Sequence, residues 1–240
     1  MMKVSIVLPT YNERENIIQL ISKLKEQLIK KFEYEIIVVD DNSPDKTWQL
    51  IENYQKIDSN IQLILRADER GLTSALNSGL SVSTGDLIVW MDCDLSHPPE
   101  LLTSLISEIS DYDAVIASRF IKGGKDDRDG KYFFQKILSL FLSKLFYFVT
   151  RNPVKDISSG YIIIKSKWLK NILPLEGDYG EYFIDLICRL HRANCRIKEI
   201  PYSFVNRKFG ESKTSTNILG YFFRGKKYLK TTLNYHRWQH

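Results

Sequence analysis

Short apolar runs alternate with longer amphipathic segments along the first half of the sequence. The apolar runs are predicted strands at residues 4–8, 35–39, 61–65, 86–91 and 114–118. After the first run, Ile17, Leu20, Ile21 and Leu24 share one helical face. Strands that alternate with helices in this way predict an α/β fold with a mostly parallel sheet. Because the strands are apolar along their whole length, we expect helices on both faces of the sheet.

The second half of the sequence is less regular. Residues 161–164 and 197–204 are predicted strands, and residues 181–190 are a predicted helix. In the first half, Ser43 and Pro44 are predicted to begin the helix after the second strand, with Ser43 as its N-cap.

The length of 240 residues allows one large domain with an appendage. We assign the domain to residues 1–214, with a first half of about 1–120 and a second half of about 121–214. Residues 215–240 form a basic, aromatic C-terminal segment.

The lack of recognisable targeting signals and the spacing of the cysteines predict a cytoplasmic setting. No stretch of 18 apolar residues lacks a charge, so we predict no transmembrane helix. The N-terminus leads directly into the first strand without the features of a signal peptide. The cysteines, Cys93, Cys188 and Cys195, have neither disulfide nor zinc spacing.

The net charge of +5 is unevenly distributed. From Arg196 to the C-terminus there are ten Lys and Arg residues against two acids, whereas the first 195 residues carry 24 basic and 27 acidic residues. A basic tail on a slightly acidic body favours an anionic partner such as a lipid phosphate, an anionic bilayer or a nucleic acid. A solubilising surface explains the same charge equally well.

Acidic residues follow several predicted strands. Asp92 and Asp94 end the fourth strand, the pair Asp40 and Asp41 ends the second, and Glu13 follows the first. Residues at i and i+2 of a strand project to the same side, and open α/β sheets bind ligands at the carboxyl ends of their strands. Two carboxylates placed there repel each other, and a hard divalent cation relieves that repulsion.

An Asp-x-Asp pair alone is a weak signal, because two acids in an exposed turn are common. The repetition of acids along one sheet edge favours a site for a nucleotide-sugar and a metal. The sequence also lacks the glycine-rich phosphate loops of dehydrogenases and P-loop kinases. Those two classes are therefore disfavoured.

Four segments of the sequence resemble the inverting family 2 glycosyltransferases of the GT-A fold, which is a Rossmann-like fold. They are VLPTYNEREN at 7–16, VVDDNSPD at 38–45, MDCDLSHPPE at 91–100, and FGESK at 209–213, which Arg207 precedes. Shorter matches lie at 118–119 and 156–160. More narrowly, the segments are similar to the dolichyl-phosphate or polyprenyl-phosphate mannose synthases.

The resemblance implies a donor site for a nucleotide-sugar. The residues expected to line the nucleoside pocket are Pro9, Tyr11, Glu13, Val38 and Asp40. Without the resemblance, Pro9 is read as a strand end, Tyr11 as packing and Asp40 as a cap of the next turn.

The resemblance also implies a metal site for Mg²⁺ or Mn²⁺ at the fourth strand. Asp92 and Asp94 are expected to bracket the metal and the diphosphate, with Asp94 as the direct ligand and Ser96 as a weaker one. Cys93 is included in the donor site, although strand alternation predicts that its side chain points away from the acids. His97 is interpreted as the residue that leads into the next helix.

The catalytic residues implied by the resemblance are Asp94, Arg119, Arg207 and Lys213. Arg207 and Lys213 are expected to close over the diphosphate and the acceptor phosphate, and Arg119 is a candidate phosphate contact. Spacing alone would assign Arg207 and Lys213 to an ordinary solvated face.

The implied reaction is transfer of mannose from GDP-mannose to a polyprenyl or dolichyl phosphate, with inversion. One alternative is a UDP-sugar transferase that acts on a polyprenyl phosphate or a saccharide, for which Asp185 is the candidate base. Asp185 and Ile162 stand where relatives usually carry glutamate and arginine. A nucleic-acid-binding module is the alternative outside enzymes, but it leaves the acidic strand ends unexplained.

Residues 132–150 are predicted to contact a membrane surface. The segment is rich in Phe and Leu and carries Lys136 and Lys144, which favours one or two amphipathic interface helices. A buried core helix is the alternative. We expect a peripheral protein on the cytoplasmic side of a membrane, with small membrane subunits as candidate partners implied by the resemblance.

Overall fold

The computed structural model describes residues 2–29, 31–128, 133–205, 207 and 226–232. The strands are β1 Lys3–Thr10, β2 Glu33–Asp40, β3 Ile61–Leu65, β4 Leu87–Trp90, β5 Ala114–Ser118, β6 Lys125–Asp126, β7 Ile162–Lys165, β8 Ile197–Pro201 and β9 Ser203–Phe204. The α-helices are α1 Ile17–Leu28, α2 Thr47–Gln55, α3 Leu72–Val82, α4 Leu102–Glu108, α5 Phe133–Thr150, α6 Ser166–Leu169 and α7 Glu181–Arg192. A 3₁₀ turn at Pro99–Leu101 precedes α4.

Seven strands form one sheet in the order β3-β2-β1-β4-β7-β5-β8. The pairs β3/β2, β2/β1, β1/β4 and β5/β8 are parallel. Strand β7 runs antiparallel to both of its neighbours, β4 and β5. The prediction of an α/β fold with a mostly parallel sheet is confirmed. A second, two-stranded sheet pairs β6 with β9.

The sheet separates two hydrophobic cores, as its apolar strands require. One core packs β-strand residues against α3, α5 and α7, and the other packs them against α1 and α4. Helix α3 approaches β1 closely because it carries Gly79. A Cβ at that position would lie 2.4 Å from a Cγ of Val7. Helices therefore cover both faces of the sheet, as predicted.

The predicted start of the helix after β2 is wrong. Helix α2 begins at Thr47, and Lys46 before it has a φ of 62° in the left-handed region. The Ser43 hydroxyl donates to Asp40 Oδ2 at 2.8 Å and accepts from the Asn12 amide at 2.9 Å. Ser43 therefore joins the loops after β1 and β2 instead of capping a helix.

Helix α5 is one continuous helix of 18 residues. Leu142, Phe146 and Thr150 are buried on its inner side. Its outer side carries Phe133, Ile137, Leu140, Phe141, Tyr147 and Phe148, which are 36–73% exposed and which we call the apolar face of α5. The buried-helix interpretation therefore describes the inner side of α5, and membrane contact of the outer side stays a prediction. In the part of the chain that the structure describes, no helix combines the length and hydrophobicity that crossing a bilayer requires.

Candidate active site

Three adjacent parallel strands, β2, β1 and β4, end at the same edge of the sheet. The loops that follow them border a cleft of about 490 Å³. Its walls are formed by Pro9, Thr10, Tyr11, Glu13, Asp41, Arg70, Gly71, Leu72, Ala75, Asp92, Cys93, Asp94, Tyr179 and Arg207. A cleft at the carboxyl ends of parallel strands is where α/β sheets bind ligands.

Most of the predicted donor-site residues meet at this cleft. They are Pro9, Tyr11, Glu13, Asp92, Cys93, Asp94 and Arg207. The Cys93 thiol donates to the Pro9 carbonyl oxygen at 3.3 Å, so its sulfur helps to join β1 and the turn after β4. Glu13 is buried, and its Oε2 accepts from Asn16 Nδ2 at 2.8 Å. The structure thus brings together residues that lie up to about 200 positions apart in the sequence.

Asp94 lies at the centre of the polar contacts on one wall. Its Oδ1 accepts from the Ser96 amide at 3.0 Å and from the Ser96 hydroxyl at 2.5 Å. Its Oδ2 lies 2.8 Å from Arg207 Nη2. Leu95 between Asp94 and Ser96 has a φ of 64°, and this tight turn directs both Ser96 donors at one carboxylate oxygen. One oxygen of Asp94 thereby accepts hydrogen bonds from its own loop, and the other faces the Arg207 guanidinium.

The carboxylates of Asp92 and Asp94 suit a divalent cation that takes its other ligands from a bound molecule. Within the described ranges, no three His, Cys, Asp or Glu side chains converge on a possible metal position. Asp92 and Asp94 line the cleft, whereas Ser96 is 1% exposed and lies behind Asp94. Carboxylate oxygens suit Mg²⁺ or Mn²⁺, and water or a bound molecule would supply the remaining oxygen ligands. The assignment of Ser96 as a further ligand stays a prediction.

Asp41 lies on the cleft wall, although only Asp40 of this acidic pair is predicted to line the nucleoside pocket. Its Oδ1 accepts from Arg66 Nε at 2.7 Å and from Arg66 Nη2 at 2.5 Å, and its Oδ2 accepts from the Gly71 amide at 2.9 Å. Nearby, the Arg70 guanidinium lies 5.1 Å from the Tyr11 ring centroid. Strand alternation could have found Asp41, because consecutive acids at a strand end point to opposite sides.

Asp40 and Val38 are placed away from the cleft. Both are fully buried. Asp40 accepts from the Thr10 hydroxyl and from the amide and hydroxyl of Ser43, each at 2.8 Å. Burial raises the pKa of Asp40 above its usual range, although these hydrogen bonds oppose the shift. Asp40 thus connects the end of β1 with the loop after β2. Asp41 lines the cleft where the sequence predicts Asp40.

Arg119 forms a buried ion pair instead of lining the cleft. Its Nε and Nη2 donate to the two carboxylate oxygens of Asp156 at 2.8 and 2.7 Å, and Nη2 also donates to the Ser158 hydroxyl at 2.7 Å. Arg119 Nη1 lies 3.6 Å from Asp126 Oδ2. Although burial opposes its charge, the Asp156 carboxylate raises the pKa of Arg119 above its usual range. A phosphate-binding role for Arg119 stays a prediction.

Of the two remaining predicted residues, the structure describes Asp185 but not Lys213. Lys213 lies outside the described residues. Asp185, the candidate base for a saccharide acceptor, accepts from Arg189 Nε at 2.6 Å. Burial raises the pKa of Asp185, and the charge of Arg189 opposes that shift. Asp185 is therefore engaged in an i,i+4 ion pair on α7.

Residues 5–173 match the sequence profile of Glycosyl transferase family 2. The chain belongs to glycosyl transferase family 2. The resemblance to family 2 glycosyltransferases that the sequence motifs indicated is therefore confirmed. The match runs from within β1 to just beyond α6, and so it includes the acidic turn after β4.

Characterised relatives are similar to this family 2 chain over nearly its whole length. It is 34% identical over 229 residues to dolichol-phosphate mannosyltransferase of Pyrococcus furiosus, covering 93% of this chain and 62% of the relative. It is 29% identical to the Saccharomyces cerevisiae enzyme of the same name, covering 90% and 82% of the two chains. It is 31% identical to undecaprenyl-phosphate mannosyltransferase of Micrococcus luteus, covering 91% and 90%. The chain thus spans less than two thirds of the Pyrococcus relative.

Solved structures confirm the predicted GT-A fold. Glucosyl-3-phosphoglycerate synthase of Mycobacterium tuberculosis, in complex with Mn²⁺, UDP and glucosyl-3-phosphoglycerate, aligns with a TM-score of 0.72. The alignment covers 98% of this chain and 80% of that chain at 18% identity. The same enzyme with Mg²⁺ and UDP gives a TM-score of 0.72 at 16% identity over 98% of this chain and 79% of that chain. At these identities the similarity shows the fold alone.

Proposed function

We propose that the chain transfers mannose from GDP-mannose to a polyprenyl or dolichyl phosphate, with inversion and with Mg²⁺ or Mn²⁺ bound. The observation that carries this proposal is the carboxylate pair Asp92 and Asp94 on the cleft wall, with Arg207 against Asp94. Carboxylates suit a divalent cation, and a guanidinium suits a phosphate. The names of the Pyrococcus, yeast and Micrococcus relatives support mannose as the sugar and a polyprenyl-type phosphate as the acceptor.

The residues of the cleft divide between the two parts of the donor. Pro9, Tyr11 and Glu13 would contact the nucleoside, and Asp92 and Asp94 would hold the cation. A bound Mg²⁺ or Mn²⁺ would supply Lewis-acid charge to the departing diphosphate. The Mycobacterium neighbour is solved in complex with Mn²⁺ or Mg²⁺ and UDP, which supports a divalent cation and a nucleotide as ligands.

Two basic residues would stabilise the negative charge of the departing nucleotide diphosphate. Arg207 already lies on the same wall as Asp94. Lys213 would add a second positive charge from the loop that follows. Fixed positive charge directed at a developing anion lowers the barrier of such a step because the protein does not have to reorganise.

A phosphate acceptor explains why the site needs no general base. The second pKa of a phosphate monoester is about 6, so the attacking oxygen is already anionic at neutral pH. A saccharide hydroxyl would need a base, and Asp185 is paired with Arg189. The acceptor phosphate would therefore attack the anomeric carbon directly, the bond to the diphosphate would break, and the configuration would invert.

Transfer of labelled sugar tests this proposal. The protein is incubated with polyprenyl phosphate, Mn²⁺ or Mg²⁺, and either GDP-[¹⁴C]mannose or UDP-[¹⁴C]glucose. We expect label in the organic phase from GDP-mannose, none after EDTA treatment, and a β-linked product by NMR. Transfer from UDP-glucose alone would replace the proposed donor, transfer to a soluble saccharide would replace the acceptor, and an α-linked product would contradict single displacement.

We also propose that the apolar face of α5 lies on the cytoplasmic surface of a membrane. The face presents Phe133, Phe141 and Phe148, which are 54%, 58% and 73% exposed, and Lys144 is exposed on the same helix. Apolar side chains flanked by lysine suit the boundary between lipid headgroups and acyl chains. A polyprenyl phosphate also places its reactive headgroup at that boundary. Small membrane subunits would be further candidates for contact with this face.

Replacing Phe148 by glutamate should weaken binding to anionic liposomes at least about tenfold, because burying a phenylalanine side chain contributes about 1.5–3 kcal/mol. Phe148→Glu combined with Phe141→Glu should abolish flotation with liposomes. Ile57→Glu is the matched control, because Ile57 is 81% exposed after α2 and undergoes the same change in charge. Equal flotation of the Phe148 and Ile57 variants would contradict the assignment of this face.

A further inference from the structure

His97 lies directly behind the acidic turn that carries Asp92 and Asp94. We propose that His97 is a positioning residue that fixes this turn for the donor diphosphate, an inference that rests on the function proposed above. From the sequence, His97 is interpreted only as the residue that leads into the next helix. In the structure its side chain is fully buried and is not among the residues that line the cleft. Any effect of His97 on transfer must therefore act through the groups that its side chain contacts.

A side-chain hydrogen bond connects His97 to the turn. The Asp92 backbone amide donates to His97 Nδ1 at 3.1 Å. Nδ1 must therefore be unprotonated, which places the remaining ring proton on Nε2. The bond fixes the backbone at the first carboxylate of the pair, and the second carboxylate follows two residues later.

Aromatic rings hold the imidazole in a single orientation. The centroids of Tyr161, Tyr202 and Phe204 lie 5.3, 5.8 and 5.7 Å from that of His97. Phe204 ends β9, three residues before Arg207. The imidazole therefore contacts both the turn that carries Asp94 and strand β9. That strand precedes Arg207, whose guanidinium pairs with Asp94. This contact connects the two charged groups of the cleft through packed side chains.

Packing alone does not explain a histidine at this place. Burying a polar ring costs free energy, whereas an apolar side chain among three aromatic rings would avoid that cost. The acceptor at Nδ1 is what an apolar side chain cannot provide. The structure thus points to the hydrogen bond with Asp92 as the reason for the imidazole.

Two variants of the same shape isolate that hydrogen bond. Asparagine and leucine both branch at Cγ and leave similar space around them, but only asparagine places an acceptor near the position of Nδ1. We expect His97→Asn to bind Mn²⁺ with GDP within about threefold of wild type. His97→Leu should bind them about 10–100-fold more weakly, the usual effect of losing a support of a metal ligand. Isothermal titration calorimetry with Mn²⁺ and GDP measures both affinities, and circular dichroism melting reports folding.

Several outcomes would overturn the inference. Equal affinities for the two folded variants would mean that His97 acts by volume alone. If His97→Leu does not fold, ¹⁵N NMR of the histidine rings in the wild type decides, since a protonated Nδ1 on His97 excludes the acceptor role. If the wild type binds Mn²⁺ with neither GDP nor UDP, the proposed function fails together with this role. Wild-type binding with equal variant affinities would overturn the role of His97 alone.

Discussion

Replacing Asp94 by asparagine should lower the rate of sugar transfer roughly 10³-fold, since the charge that a bound metal supplies is worth several kcal/mol and each 1.36 kcal/mol is a factor of ten. Asparagine has the shape of aspartate, and its side-chain oxygen can still accept from Ser96. The change therefore removes the negative charge beside Arg207 while the turn is retained. Initial rates with saturating Mn²⁺ and GDP-mannose measure the effect.

The matched control for Asp94→Asn is Asp111→Asn. Asp111 is exposed in the turn before β5, at the opposite edge of the sheet, and undergoes the same change in charge. It should transfer sugar at the wild-type rate. A loss of less than about tenfold in Asp94→Asn would indicate that Asp94 is not the principal metal ligand, and Asp92→Asn would then be the next variant to measure.

Replacing Asp156 by alanine should give the largest loss of stability among the changes considered. The Arg119 and Asp156 side chains are 3% and 0% exposed, so the variant leaves a buried guanidinium without its main partner. Breaking a buried pair from one side costs about 3–5 kcal/mol, which for a chain of this size corresponds to a fall in Tm of roughly 6–20 °C. Thermal melting followed by circular dichroism measures it.

A double variant separates the structural and catalytic roles of Arg119. Arg119→Met combined with Asp156→Asn removes both charges and should restore most of the lost stability, because the asparagine oxygen can still accept from the backbone amide of residue 119 or 158. Asp126 keeps Arg128 as a partner at 2.5 Å. If the double variant is stable and transfers sugar, Arg119 is structural. If it is stable without transfer, Arg119 contacts a phosphate as the sequence predicted. A double variant as unstable as Asp156→Ala would show that the ion pair does not determine local stability.

The fold was largely predictable because its signals are local. The apolar runs at 4–8, 61–65 and 114–118 lie within the strands β1, β3 and β5. A strand buried on both faces needs apolar residues in succession, and this pattern is visible without knowledge of the neighbouring strands. The antiparallel direction of β7 was not predicted, since an apolar run carries no information about direction.

The helix and strand boundaries that were predicted wrongly are set by long-range contacts. The predicted strand at 197–204 is divided into β8 and β9, because its second part pairs with β6 outside the main sheet. The predicted helix start at Ser43 failed because Ser43 is held by Asp40 and by Asn12, which lies 31 residues earlier in the sequence. A partner so distant in sequence leaves no signal in the local pattern.

The sequence by itself determined the strand and helix alternation and the placement of Asp92 and Asp94 at a ligand-binding edge of the sheet. Both follow from short periodicities, since residues two apart in a strand share a side. The motifs around these acids also determined the family. These properties depend on residues close together in the chain.

Only the tertiary structure decided which polar side chains reach the cleft and which are bound elsewhere. Asp41 faces the cleft while Asp40 is held beneath it, and Arg119 is paired with Asp156, 37 residues away. His97 accepts from the acidic turn within a cage of rings from distant strands. The physical reason is that a polar group must satisfy its hydrogen bonds wherever it is buried, and its partners are fixed only when separate segments pack together.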